Sequence, residues 1–253
     1  SETGEIDKAA LNEFKKGKFN VYKYNDEIAC LVDLDEEPPK GPNEKALNTA
    51  IRVGQMLNLI FFDKFQFMRK LIVDGSVTTG FQRTSMLGFG GSLKTSFGEV
   101  VIEGVNVEED SCRTLNREHG HTVFSLDRQG IPLIEITTGP QIKKPEQAYE
   151  CALQIGNILR SFSETRRGLG TIRQDVNVSI KGGARIEIKG AQNLNLMSEV
   201  VKNEVKRQIV YVSILDELKQ RGVDKNNFSD KKIIDVSKVF EKSTSKVVLS
   251  NLE

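Results

Sequence analysis

At 253 residues, 38% hydrophobic and 28% charged, the chain has an ordinary globular composition and enough length for one large or two small domains. Thirty-six basic against thirty-five acidic residues leave a net charge of +1, so no global field draws a polyanion, and binding to nucleic acid or phosphate needs a local patch. No apolar run approaches membrane-spanning length, no signal-like segment opens the chain, and Cys30, Cys112 and Cys151 form no C-x-x-C pair. The expectation is a soluble, cytoplasmic protein with reduced thiols, no zinc site and no membrane association.

Taken in order, Ser1 to Phe14 is acidic and helix-prone, and strands are expected at Asn20 to Tyr24 and Ile28 to Leu34. In DLDEEPPKGP the acids Asp33, Asp35, Glu36 and Glu37 read as a solvated loop stopped by Pro38 and Pro39, in preference to a cation site. Ala46, Leu47, Ala50, Ile51, Gly54 and Leu57 recur at helical steps, so Asn43 to Leu59 is a helix packing one face on a sheet. Phe65 to Val73 is rich in β-formers and runs into a loop from Asp74 to Gly80. Its hydroxyls and glycines ahead of Arg83 suit phosphate oxygens, and suit a plain hydroxyl-rich turn equally. The segment GFGGSLK matches neither nucleotide-loop pattern and reads as a turn between strands.

Val100 to Val107 alternates as a strand and ends in Glu108, Glu109 and Asp110; acids at a strand end are common on surfaces and are also how oxygen-seeking cations are held. His119 and His121 read as an exposed hairpin tip. In LDRQGIPLIEI, Glu135 is a carboxylate inside an apolar strand, costly there unless paired or metal-bound. Pro145 to Phe162 is a second helix, with Pro145 in its first turn. From Gln174 to Ile180, Asp175, Asn177 and Ser179 alternate with Val176, Val178 and Ile180. Past Gly182-Gly183, Arg185, Glu187 and Lys189 alternate with Ile186 and Ile188, which predicts a tight hairpin with one polar face. By itself that face is explained by cross-strand ion pairs.

A third helix runs from Asn195 to Arg221 with a buried stripe through Met197, Val200, Val201, Val205, Ile209, Val212 and Leu215, and Gly222 ends it. Residues 223–253 read as a connection, with a short apolar strand at Lys246 to Leu249. Strand-rich blocks, hairpin signals and three helices together predict an α+β fold with a largely antiparallel sheet.

The segments EEPP, MRKLIVDGSVTTGFQRT, EEDSCR, LDRQGIPLIEI, RGLGTIRQDVNVSI and RIEIKGAQNL, in that order, resemble the GatB/GatE family of glutamyl-tRNA(Gln) amidotransferases over most of Ser1 to Gly222. The resemblance implies that residues 1–222 form a catalytic cradle related to glutamine synthetase and the guanidino kinases, an antiparallel sheet with helices packed on one side. It implies ATP- and Mg2+-dependent phosphorylation of the glutamyl side chain of misacylated Glu-tRNA(Gln), then amidation with ammonia from an asparaginase-type amidotransferase partner, the D subunit. Position within the motifs carries the metal and nucleotide acids to Glu108, Glu109, Glu135, Asp175 and Glu187, with Glu135, Asp175 and Glu187 catalytic. The phosphate-facing residues carry over to Ser76, Thr79, Arg83, Arg128, Arg173 and Lys189.

Elementary chemistry agrees with that grouping, because a carboxylate approaching a triphosphate meets like charge, which divalent cations and Lys or Arg clamps relieve. The family's opening strand, with its G-L-E-I-H motif, would precede the first residue here, and an inserted domain and a tRNA-contacting tail would follow the last. The expectation is therefore a core with incomplete activity of its own. The competing reading is a non-catalytic module that cradles tRNA or partner subunits. A third, purely structural reading requires Glu135 to be paired with a basic side chain.

Overall fold

A computed structural model describes residues 4–118, 120–223 and 235–249. They form two compact units that interleave in sequence: Ser1–Val176 with Ile188–Lys202, and Asn177–Glu187 with Asn203–Glu253.

In the first unit, α1 (Lys8–Lys15) starts at Asp7, whose carboxylate accepts the N–H groups of Ala9 and Ala10. β1 (Phe19–Lys23) follows. The strand expected at Ile28 to Leu34 is instead a series of turns. Asn25 and Asp33 accept the Glu27 and Cys30 N–H groups, local bonds that compete with a sheet ladder. α2 (Glu44–Met56) is capped by the Asn43 side chain on Ala46 N–H and buries Thr49, Ala50, Val53 and Gly54.

After β2 (Ile60–Phe61) and β3 (Met68–Leu71), shorter than the strand expected from Phe65 to Val73, come β4 (Phe81–Phe89), β5 (Gly91–Thr95) and β6 (Gly98–Glu109). β4 and β5 lie along the same edge of β6, with Gly88 opposite Val105 and Gly91 opposite Ile102. The glycine-rich segment is thus a break in one long hairpin. A Cβ on Gly88 would collide with the Ile60 carbonyl oxygen and one on Gly91 would sit 2.5 Å from that of Leu57, so glycine lets the chain leaving α2 press onto the strand.

β7 (Arg113–Glu118) and β8 (His121–Ser125) make a hairpin, and β1 adds to β8 in parallel to give a small three-stranded sheet. β9 (Pro132–Thr138) pairs antiparallel with the other edge of β6, completing a six-stranded sheet of β2 to β6 and β9. α3 (Pro145–Arg160) begins with Pro145 at its first turn, where no N–H is needed. Val53, Leu57, Val100, Ile102, Val105, Cys151 and Phe162 form the main core between α2, α3 and one face of this sheet, with Ile134 and Ile136 packed against it. The fold is α+β and its main sheet antiparallel, with helices on one side.

β10 (Val176–Val178) and β11 (Ile186–Ile188) do pair, but over three residues each. The tight Gly-Gly hairpin is not formed, because in the second unit Gln208 accepts the Ile180 N–H and donates to the Val178 carbonyl, taking backbone groups that a longer ladder would use. Asp175 precedes the strand instead of lying in it.

α4 (Leu194–Gln220) matches the third expected helix. Its stripe is buried at Met197 and Val201, whereas Ile209 and Leu215 are exposed. Gly222, at φ +73, follows its end. α5 (Ser237–Phe240) and α6 (Lys246–Leu249) are single helical turns. The latter replaces an expected strand, with Leu249 N–H bonded to the Ser245 carbonyl at 2.9 Å. His119 lies outside the described residues, as does the connection at 224–234. Among the described residues no helix is long and apolar enough to cross a membrane.

Candidate functional site

An irregularity in the β6–β9 pairing between Ile102 and Gly104 resets the alternation of β6. Val105 and Val107 then face the helices together with Ile134 and Ile136, which sends Asn106, Glu108, Thr84 and Glu135 to the opposite face. Lys70 of β3, across from Gln82, shares that face. Glu135 is therefore exposed beside two inward isoleucines, and the apolar run around it reads as alternation once the partner strand is known. It lies opposite Asn106, whose Nδ2 donates to its Oε2 at 2.7 Å, and among the described residues it makes no ion pair with a cationic side chain.

Glu108 lies opposite Leu133 and Thr84, so Glu135 is its diagonal neighbour across the β6–β9 ladder. Burial and the charge of Glu135 raise the Glu108 pKa, while Lys70 and the Thr84 hydrogen bond pull it down. Two carboxylates held together on an open sheet face cost energy unless a cation joins them. This pair is the centre of the candidate site.

Glu109 points the other way. Arg83 grips it with both arms of the guanidinium, Nε to Oε2 at 3.0 Å and Nη2 to Oε1, while Arg83 Nη1 donates to the Lys40 carbonyl at 2.6 Å. With the Arg83 side chain only 16% exposed, the two satisfy each other on the face away from Glu108.

Asp110, the third acid of the run, is buried. Arg173 contacts both its oxygens, with Nη1 to Oδ1 at 3.2 Å, and Arg128 Nε lies 3.4 Å from Oδ2. The hydrogen bond to Asp110 is the largest influence raising the Arg173 pKa. Asp110 also adds to the repulsion that raises the Glu108 pKa, so two residues expected to face phosphate gather around one carboxylate close to Glu108. The signal was present in the spacing: Asp110 continues the alternation of Asn106 and Glu108.

The hydroxyl loop is folded in on itself. Ser76 donates from Oγ and from N–H to Asp74 Oδ1, and Thr79 Oγ1 donates to the Phe81 carbonyl at 3.1 Å. Thr78 bonds Gln129 and the Asp33 carbonyl, so these donors serve the loop's shape and its attachment to the segments around Asp33 and Gln129. Asp175 accepts from Gly190 N–H at 3.1 Å and lies 3.4 Å from Lys189 Nζ, which joins the two predicted residues in an exposed pair. Glu187 belongs to the second unit, exposed on β11 between Ile186 and Ile188.

The chemistry of the Glu108 and Glu135 pair fits Mg2+, which takes oxygen ligands, commonly from one or two carboxylates, and keeps water and phosphate oxygens for the remaining positions. Among the described residues no group of three or more His, Cys, Asp or Glu is placed to hold a metal ion. Phosphate oxygens and water would have to complete the shell.

Residues 12–247 match the family model described as the GatB/GatE catalytic domain. The chain is 46% identical to the E subunit of glutamyl-tRNA(Gln) amidotransferase from Thermococcus gammatolerans over 253 residues, all of this chain and 40% of that protein. It is 48% identical to the same-named protein of Pyrococcus abyssi over 248 residues, 98% of this chain and 39% of that one. For the counterpart in Methanocaldococcus jannaschii the identity is 47% over 253 residues, again 40% of the relative. The chain thus spans about 40% of the length of these curated relatives.

Proposed function

This chain belongs to the GatB/GatE catalytic domain family, and from that premise we propose that it carries the activating step of a tRNA-dependent amidotransferase. In this reading a side-chain carboxylate oxygen of glutamate on Glu-tRNA(Gln) attacks the terminal phosphorus of ATP and ADP leaves. Ammonia then attacks the acyl carbon, phosphate leaves, and the product is Gln-tRNA(Gln). The observation that carries the reading is the Glu108 and Glu135 pair on the sheet face away from the helices.

Glu108 and Glu135 would hold Mg2+, which when bound supplies positive charge between the phosphates and the incoming carboxylate. Arg128 and Arg173 would take phosphate oxygens, for which a guanidinium offers a planar fork of donors. Lys70, on the same face, would steer the anionic substrate in. Asn106 fixes Glu135 through its amide. Asp175 and Lys189 are proposed to serve the nucleotide side of the site, and Arg83 with Glu109 to brace its floor. Phosphoryl transfer asks the protein mainly for position and charge, and these groups supply both without a protein nucleophile.

The relatives are named as subunits, which supports a partner as the source of ammonia; an asparaginase-type amidotransferase partner, the D subunit, is the one proposed. The test uses a protein with the full length of these relatives, together with Glu-tRNA(Gln), ATP and Mg2+. Free ammonium should yield Gln-tRNA, and asparagine should do so only once the D subunit is added. Asparagine-driven product without a partner would place the ammonia source in this polypeptide and overturn the division of roles. No product with ammonium would favour a cradle that binds tRNA or partner subunits and does no chemistry.

A further inference from the structure

Asp110 is the least exposed charged group among the ion pairs of the first unit: 5% of its side chain reaches solvent, against 35% for Arg128 and 43% for Arg173. Its backbone is pinned where β6 meets β9, with Asp110 N–H bonded to the Ile131 carbonyl at 2.8 Å and Gly130 N–H to the Asp110 carbonyl at 2.9 Å. The carboxylate therefore has a fixed direction. Arg128 comes from the turn after β8, where its Nε and Nη2 donate to the Ser111 and Cys112 carbonyls at 3.0 and 2.9 Å. Arg173 comes from the segment before β10. Two guanidiniums drawn from distant stretches meet on one buried carboxylate and both stay partly open to solvent, with Asp127 acting on Arg128 and Asp175 on Arg173 through space.

We propose that Asp110 is a positioning residue: it holds the Arg128 and Arg173 guanidiniums as one unit, and that unit seats the phosphate chain of a nucleotide. Without a fixed anchor two like-charged side chains separate, and each loses rotamer freedom again when an anion binds; an anchored pair has met that cost beforehand. The identification of the anion as part of a nucleotide rests on the function proposed above; the seat itself does not.

The two roles Asp110 can have predict opposite signs. If it only neutralises arginines, removing its charge makes the seat more positive and tightens anion binding. If it positions them, removing its charge loosens binding in spite of the gain. Pyrophosphate binding to the 253-residue chain, measured by calorimetry, decides between them. For Asp110→Asn the expected result is about a tenfold weaker association. Equal or tighter binding overturns the proposal.

Asp110→Glu keeps the charge and moves it by one methylene, so it should weaken binding as well, and unchanged affinity there also overturns the proposal; it carries the test if the amide variant fails to fold. In an Arg173→Ala background the further change Asp110→Asn should cost clearly less than about tenfold, because only Arg128 is then left for the carboxylate to position. A full additional tenfold loss would show a separate route and refute the role. Pyrophosphate bound by the unsubstituted chain, with no ATP-dependent product from the longer protein, sinks the proposed function and leaves the seat standing. An unsubstituted chain that ignores pyrophosphate sinks the seat and leaves the carboxylate pair to be judged by its own test.

Discussion

Replacing Glu135 with glutamine should make the metal-free protein more stable at neutral pH. Glu135 and Glu108 are diagonal neighbours across the β6–β9 ladder, a relation that puts side chains about 7 Å apart. At that separation two negative charges repel by about 2 kcal/mol at an effective dielectric constant near 20 and by about 0.6 kcal/mol in water. Glu135 is exposed, so solvent screening brings the figure to about 0.6–1 kcal/mol, or roughly 1–4 °C in melting temperature for a chain of this size. The amide still accepts the Asn106 hydrogen bond, so shape and local bonding are kept.

The gain should depend on pH in a set direction. The Glu108 pKa is raised in the folded state by burial and by Glu135. Stability is therefore full below the unfolded-state value and is lost as pH rises through the folded one. Glu135→Gln removes part of that loss, so its advantage should appear at pH 7 and vanish near pH 4. Added Mg2+ should raise the melting temperature of the unsubstituted protein and leave the variant unmoved. Thermal melts across pH, with and without Mg2+, are the assay. A variant no more stable than its parent at pH 7, or equally stabilised by Mg2+, would refute the reasoning.

In a protein with the full length of the curated relatives the same Glu135→Gln change should abolish ATP hydrolysis dependent on Glu-tRNA, and near-normal turnover would remove Glu135 from the site. Gly88→Val should cost about 1–3 kcal/mol in urea melts, because its branched side chain meets the Ile60 carbonyl oxygen that glycine admits; an unchanged midpoint would mean the β2 edge is not held as described. Ile102→Ala, at a fully buried core position, should cost about 2–5 kcal/mol in the same assay. Glu204 bonds Arg207 and Gln208, and these hydrogen bonds hold its carboxyl down to about 2 from an ordinary value of 4.5. The stability it lends is present above the ordinary value and lost as pH falls towards about 2, so Glu204→Gln should flatten the acid limb of helix unfolding followed by circular dichroism.

The helices and the central strands were legible because α2, α3 and α4 repeat apolar residues at helical steps and β6 alternates for most of its length. What was not legible depended on partners distant in sequence. Ile28 to Leu34 has strand composition, but Asn25 and Asp33 take its backbone into turns. The Gly182-Gly183 hairpin fails because Gln208 captures the Val178 carbonyl and the Ile180 N–H on the strand leading into it. The Glu108 and Glu109 doublet looks like one cluster in sequence and is split between two faces by the pleat, Glu108 with Glu135 and Glu109 with Arg83. The alternation of Asn106, Glu108 and Asp110 puts Asp110 on the Glu108 face, but nothing local marks it as a carboxylate that gathers arginines from positions 128 and 173.

The central claim is that Glu108 and Glu135 together bind the divalent cation that the nucleotide brings. Crystals grown with Mn2+ and a non-hydrolysable ATP analogue, and measured at the manganese absorption edge, test it directly. The expected result is an anomalous peak bridging the Glu108 and Glu135 carboxylates and a phosphate oxygen. A peak held by other acids, with Glu108 and Glu135 making no contact to it, would contradict the claim.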